Sequence, residues 1–77
     1  MNIDNLARRI DEARARGTDP VLLLLSREDY VFLRNSVRGG VADGFLTSFL
    51  AVPVAQSSGP HSYLVTDTFY GPEVWRL

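Results

Sequence analysis

Apolar residues recur at steps of three and four near the start of the chain, which is the spacing of one stripe along an α-helix. They are Ile3, Leu6, Ile10 and Ala13. This stripe predicts a first helix from Ile3 to Arg16. Asn2 is suited to cap its start and Gly17 its end, because both residue types satisfy unpaired backbone groups at helix termini.

An uninterrupted apolar run, Val21 to Leu25, follows the first helix. A run without alternation is typical of a strand that is covered on both faces. The run therefore predicts the central strand of a sheet.

A second helix is predicted from the residues that follow this strand. Ser26 and Asp29 have the spacing of a capping box, in which the serine side chain satisfies a backbone N–H of the first turn. The helix should run from about Arg27 to Arg38 and end at Gly39-Gly40. Tyr30, Leu33 and Val37 would share one of its faces.

Shorter elements are predicted in the second half. The segment from Val41 to Ser48 fits a loop or a short turn, since its glycine disfavours a helix. The segment from Phe49 to Ala55 predicts a strand, and Pro53 within it indicates an edge position or a bulge, because proline cannot donate a ladder hydrogen bond. Ser62 to Thr66 predicts a further strand that would pair with 49–55 as a hairpin.

The order helix, strand, helix, strand, strand predicts a small α+β (small α/β) fold, with residues 1–77 forming a single compact domain. Hydrophobic residues make up 45% of the chain, and there is no cysteine to form a disulfide. The net charge of -1 provides no general attraction to nucleic acid or to anionic lipid. No apolar run approaches the roughly 20 residues that span a bilayer. We therefore expect a soluble, cytoplasmic protein with no membrane partner.

Catalytic and metal-binding residues are not predicted. His61 is the single histidine and, without cysteine, cannot supply the three or four ligands of a usual zinc site. Serines lie close to it in sequence, but serine is common in turns because it hydrogen-bonds local backbone. We therefore expect no enzyme activity, no cofactor and no metal.

An arginine line is predicted on the second helix. Arg27, Arg34 and Arg38 are separated by seven and four residues, which places them along one side of a helix. They are candidate contacts for an anion or for nucleic acid. The alternative is a solvated face on which Glu28 offsets part of the charge.

An aromatic tail forms the second candidate site. Apolar residues are dense in the last nine positions: Phe69, Tyr70, Val74, Trp75 and Leu77. One interpretation is that the tail packs on the core of its own domain. The other is that Phe69, Tyr70, Val74 and Trp75 bind a protein partner, because tryptophan and tyrosine are enriched at interface hot spots.

Three stretches together resemble a recurring segment of tailed-bacteriophage major capsid proteins: Asp19 to Arg34, which is an apolar strand leading through a serine cap into a helix; Leu50-Ala51-Val52-Pro53-Val54; and Tyr63-Leu64-Val65-Thr66-Asp67. In that family the segment belongs to the axial domain, which packs against its copies around capsomer axes. A capsid subunit is several times longer than this chain. The resemblance therefore implies a small phage or prophage virion-associated or accessory protein, located in the virion.

These observations predict a non-enzymatic structural or protein-interaction module that self-associates or joins a larger assembly. The alternative is a small nucleic-acid-binding or regulatory protein that uses the arginine line.

Overall fold

The computed structural model describes residues 2–36, 40–42 and 44–77, with 40–42 described by their backbone alone. The chain forms a small α+β fold, as predicted. Its elements are, in order, α1 (Ile3–Ala15), β1 (Asp19–Leu25), α2 (Arg27–Arg34), β2 (Gly40–Ala42), β3 (Phe45–Phe49), β4 (Val52–Gln56), β5 (Tyr63–Thr68) and β6 (Gly71–Arg76).

The strands form one mixed sheet in the order β2-β3-β4-β1-β5-β6. Strand β1 is parallel to β4, with Leu23 opposite Val54, and antiparallel to β5, with Leu23 opposite Leu64. The prediction that the apolar run forms the central strand is therefore confirmed. Strands β2 and β6 are the two edges.

Helix α1 begins where its cap was predicted. The Asn2 side chain accepts hydrogen bonds from the backbone N–H groups of Asp4 and Asn5, at 2.9 and 3.3 Å. Gly17 follows the helix with a φ of 78°, a left-handed value that glycine adopts without strain. The predicted stripe is buried at Leu6, Ile10 and Ala13.

Helix α2 begins as predicted but ends earlier. The Ser26 hydroxyl accepts a hydrogen bond from the backbone N–H of Asp29 at 3.2 Å. The helix ends at Arg34, and the Ser36 N–H bonds to the Leu33 carbonyl, which tightens the last turn. Asn35 and Ser36 explain this end, because their side chains compete for backbone hydrogen bonds. Val37, Arg38 and Gly39, on which the predicted extension depends, lie outside the described residues.

The helices cover one face of the sheet, so the prediction that β1 is covered on both faces was wrong. Leu23 and Leu25 are fully buried in the same cluster as Ile10 of α1 and Leu33 of α2. Side chains alternate along a strand, so the residues between them face the other side. On that open face Leu22 and Leu24 are half-buried.

The predicted strand from 49 to 55 is in fact two strands joined by a two-residue turn. Phe49 ends β3 and lies opposite Val52, the first residue of β4. Strand β4 is interior and its register with β3 is regular at Pro53, so the prediction of an edge position or a bulge there was wrong. The sheet tolerates Pro53 because the pairing of β4 with β1 begins one residue later, at Val54.

The predicted hairpin between residues 49–55 and 62–66 was also wrong, because β1 lies between β4 and β5. Strand β4 instead forms a hairpin with β3, and β5 forms one with β6. The tail is therefore a strand that the sequence did not predict.

Strands β2 and β3 replace the loop or turn predicted for residues 41–48. Their register passes from Gly40 opposite Ser48 to Val41 opposite Leu46, so β3 contains one extra residue. The irregularity allows both Leu46 and Phe49, three positions apart, to be buried in the core.

Candidate protein-interaction surface

The loop between β5 and β6 is a two-residue turn, closed by Thr68 opposite Gly71. The Thr68 hydroxyl accepts a hydrogen bond from the Tyr70 N–H at 3.1 Å and donates to the Gly71 carbonyl at 2.7 Å. Gly71 has a φ of 111°, a conformation that is strained for any residue with a side chain. Thr68 and Gly71 therefore account for the shape of this turn.

Phe69 and Tyr70 form the tip of that turn, which we call the aromatic tip. Each is 95% exposed. Their rings contact each other edge to face, with centroids 5.3 Å apart and planes at 86°. The fold does not require aromatic residues at these positions, and exposing two of them leaves apolar surface in water. The aromatic tip is therefore a candidate contact surface.

The open face of the sheet carries further apolar side chains, which Asp67 and Pro72 separate from the aromatic tip. Leu22 lies opposite Val65, and Val65 lies opposite Val74, so a row of apolar side chains crosses three strands. A parallel row places Leu24 beside Tyr63. Val74 is 60% exposed. The row extends the candidate surface across the β1, β5 and β6 strands.

Trp75 belongs to the core. It is 8% exposed, and its indole N–H donates to a Glu73 carboxylate oxygen at 2.6 Å. The guanidinium groups of Arg9 and Arg16 lie over its ring, 5.1 and 5.2 Å from the centroid. The tail thus divides between the two interpretations left open by its sequence: Trp75 packs on the core, while Phe69, Tyr70 and Val74 face solvent.

A groove between α1 and the edge strand β6 was not predicted from the sequence. Its larger part is about 690 Å³ and its smaller part about 230 Å³, and Arg9 and Glu12 line both. Arg8 and Arg76 line the larger part, and Arg16 and Trp75 the smaller. The seven-residue spacing of Arg9 on α1 and Arg16 at its C-terminal cap is a signal in the sequence, whereas Arg76 lines the groove only because of the fold.

A buried polar cluster links β5 to the start of α2. The Ser62 hydroxyl donates to the Asp29 carboxylate at 2.5 Å and accepts from the Ser26 N–H at 2.9 Å. Ser62 is 2% exposed, so its hydroxyl does not face a substrate. No side-chain nitrogen or oxygen buried within the described part of the chain lacks a partner. The cluster therefore connects the start of α2 to the residue that precedes β5.

His61 lies beside Arg76, whose guanidinium nitrogen is 3.0 Å from the imidazole Nδ1. Two serines near His61 in sequence have other partners: Ser62 donates to Asp29, and the Ser57 hydroxyl accepts from the Gly59 N–H. The contacts of His61 are thus with arginine rather than with a nucleophile.

The structure describes two of the three residues of the predicted arginine line. Arg27 and Arg34 are exposed at opposite ends of α2, and Arg38 lies outside the described residues. Glu28 is exposed beside Arg27. The described part of the line is therefore a pair of solvated charges.

In residues 2–36, 40–42 and 44–77 no cluster of three or more histidine or acidic side chains is placed to bind a metal ion. Neither helix described there is long and apolar enough to cross a membrane. Comparisons with protein-family models, curated proteins and solved structures found no match.

Proposed function

We propose that this chain is a non-enzymatic protein-interaction module that presents its aromatic tip and the open face of its sheet to a partner protein. The observation that carries the proposal is the 95% exposure of both Phe69 and Tyr70 on a turn whose shape depends on other residues. Paired aromatic side chains provide large contact area at low conformational cost, and they are enriched at interface hot spots.

The open face supports the same proposal. Val74, Val65 and Leu22 form an apolar row on the side of the sheet that the helices leave open. A partner that covers this row removes apolar surface from water, which is the main driving force of protein association. The partner is a second copy or a component of a larger assembly. The resemblance to phage capsid segments extends the proposal to a virion assembly.

Site-specific photocrosslinking tests the proposal. A photoreactive phenylalanine analogue replaces Phe69 in cells that make the protein naturally, and a matched protein carries it at Phe32, which is 49% exposed on α2. We expect a discrete crosslinked protein from position 69 and none from position 32. The product should disappear when Tyr70→Ser and Val74→Ser are added. Crosslinks from position 32 alone, or from neither position, would contradict the proposal.

The alternative, nucleic-acid binding through α2, predicts a different result. Arg27→Gln with Arg34→Gln would then weaken retention of single-stranded or duplex DNA at low salt, because fewer phosphates are neutralised. We expect no salt-dependent retention by either protein. Retention by the unmodified chain that the double variant loses would favour the alternative over the aromatic tip.

A further inference from the structure

The open face of the sheet has an acidic end. Asp19 lies directly opposite Asp67 in the β1–β5 pair, and both are exposed. Their neighbours Pro20 and Thr66 are buried, so alternation along the strands directs both carboxylates to the open face. Like charges directly opposite each other destabilise a strand pair. A basic group placed over these two carboxylates therefore removes an unfavourable interaction.

The other end of the same face is basic. Trp75 packs in the core, so the next residue, Arg76, directs its side chain to the open face. There its guanidinium nitrogen lies 3.0 Å from the His61 ring. Arg76 is opposite Tyr63, which lies on β5 at the far end from Asp67. The open face thus carries opposite charges at its two ends.

The apolar row of Leu22, Val65 and Val74 lies midway between these ends. Along β5, Val65 is two residues from Asp67 and two from Tyr63, which is roughly 7 Å in each direction. A face with an apolar centre and opposite charges at equal distances from it is complementary to itself after a rotation of 180°. A second copy of this chain therefore matches both the apolar row and the charges.

We propose that the open faces of two copies pack together about a two-fold axis that runs along this apolar row. The strands of the two sheets are then antiparallel, and the sheets lie about 10 Å apart, as in a β-sandwich. The rotation brings Arg76 of each copy to the acidic end of the other, beside Asp19 and Asp67. This inference rests on the proposed function, because it names the partner that covers the open face.

The aromatic tips lie at opposite ends of such a dimer, because each tip is beyond the acidic end of its own face. Neither tip therefore covers the apolar row. Absence of the dimer would leave a crosslink from position 69 to another protein standing. Absence of that crosslink would leave the dimer intact, so the two proposals fail separately.

Sedimentation equilibrium of the purified full chain measures self-association. We expect a monomer–dimer equilibrium whose dissociation constant rises with salt, since charge pairs contribute to the contact. Arg76→Glu should weaken the dimer at least about tenfold, because like charges then meet at both ends of the interface. Asp67→Arg should also weaken it, for the same reason.

The two weakened variants should dimerise with each other. In the mixed dimer the glutamate introduced at position 76 meets the arginine introduced at position 67, and the original Asp67 and Arg76 meet at the other end. An equimolar mixture should therefore restore the dissociation constant to within about threefold of the original. Arg34→Glu and Asp11→Arg make the same charge changes on the helices, so each should dimerise as the unmodified chain does.

Circular dichroism of each variant checks that it is folded. A chain that stays monomeric at millimolar concentration would overturn the proposal, as would a mixture that associates no better than its components. Self-association that neither charge reversal weakens would also overturn it, and would place the contact outside the open face.

Discussion

Two hairpins of the sheet, β3–β4 and β5–β6, are built on two-residue turns whose backbone conformations differ. In β3–β4 the turn residues Leu50 and Ala51 have φ values of 50° and 64°, the left-handed conformation of a type I′ turn. In β5–β6 neither Phe69 nor Tyr70 has a positive φ, and Gly71 adopts the left-handed value instead. The first turn strains ordinary residues, and the second assigns the unusual conformation to a glycine.

The packing around the turns explains why the strain is tolerated in one of them. Phe49 and Val52 flank the β3–β4 turn and are almost completely buried, so the core holds its conformation. Arg14 on α1 also donates to the Leu50 carbonyl at 2.6 Å. The aromatic tip has no such support, with both rings in solvent. The β3–β4 turn is thus flanked by residues that pack in the core, while the side chains of the β5–β6 turn lie outside the core.

Replacing one phenylalanine in each hairpin by alanine should give the largest difference in the free energy of unfolding. Phe49→Ala should lower the free energy of unfolding by about 3 to 5 kcal/mol, because a fully buried ring leaves a cavity. Phe69→Ala should change it by less than about 0.5 kcal/mol, since that ring is exposed. Urea denaturation measures both. A similar loss for the two variants would show that the aromatic tip packs on the protein.

Replacing the glycine of the β5–β6 turn should give the next largest change in stability. Gly71→Ala should cost about 1 to 3 kcal/mol, because a side chain strains the backbone at a φ of 111°. A Cβ there would meet no atom within 4 Å, so the cost comes from the backbone alone. Gly59→Ala, at a position without a positive φ, is the matched control in thermal unfolding. Equal melting temperatures for the two variants would contradict this account.

Substitutions in the β3–β4 turn should raise the stability of the protein rather than lower it. Leu50→Asn with Ala51→Gly introduces the residue pair preferred in type I′ turns. We expect a gain of about 1 kcal/mol, because the left-handed conformation costs an ordinary residue about 1 to 2 kcal/mol and part of the gain is offset by the entropy of glycine. The denaturant midpoint should rise. A fall would mean that the Leu50 side chain contributes more by packing than its turn conformation costs.

The smallest expected effect concerns the contact that holds the strained turn to α1. Arg14→Ala should cost about 0.5 kcal/mol, because its hydrogen bond to the Leu50 carbonyl is exposed to solvent. Arg34→Ala on α2 should cost less. Combining Arg14→Ala with the Asn-Gly turn sharpens the comparison, since a relaxed turn should depend less on the arginine. Strictly additive effects would show that the contact and the strain are independent.

Local signals account for what the sequence predicted correctly. Asn2 and Ser26 cap the helices through bonds within three residues, and the apolar run of β1 is continuous in the chain. The Leu50-Ala51 turn has no such signal, because neither residue favours a left-handed conformation and the surrounding core imposes it. The sequence therefore predicted one strand where the fold has two.

The candidate surfaces also differ in how far the sequence could predict them. Phe69 and Tyr70 could be singled out from composition, although their separation from Trp75 depends on the alternation of β6. The groove depends on residues from both ends of the chain, Arg9 and Arg76, which only the packing of α1 over the edge strand brings together. No local pattern contains that information.

Strand β1 lies between the hairpins β3–β4 and β5–β6, and its pairings are long-range. Each hairpin joins neighbouring segments, whereas Leu23 pairs with Val54 and Leu64, which follow it by 31 and 41 residues. An isolated two-stranded hairpin is marginal in water, and distant pairings must first overcome the entropy of loop closure. Strand β1 covers one edge of each hairpin, those of β4 and β5, and so removes two unpaired strand edges at which another chain could add.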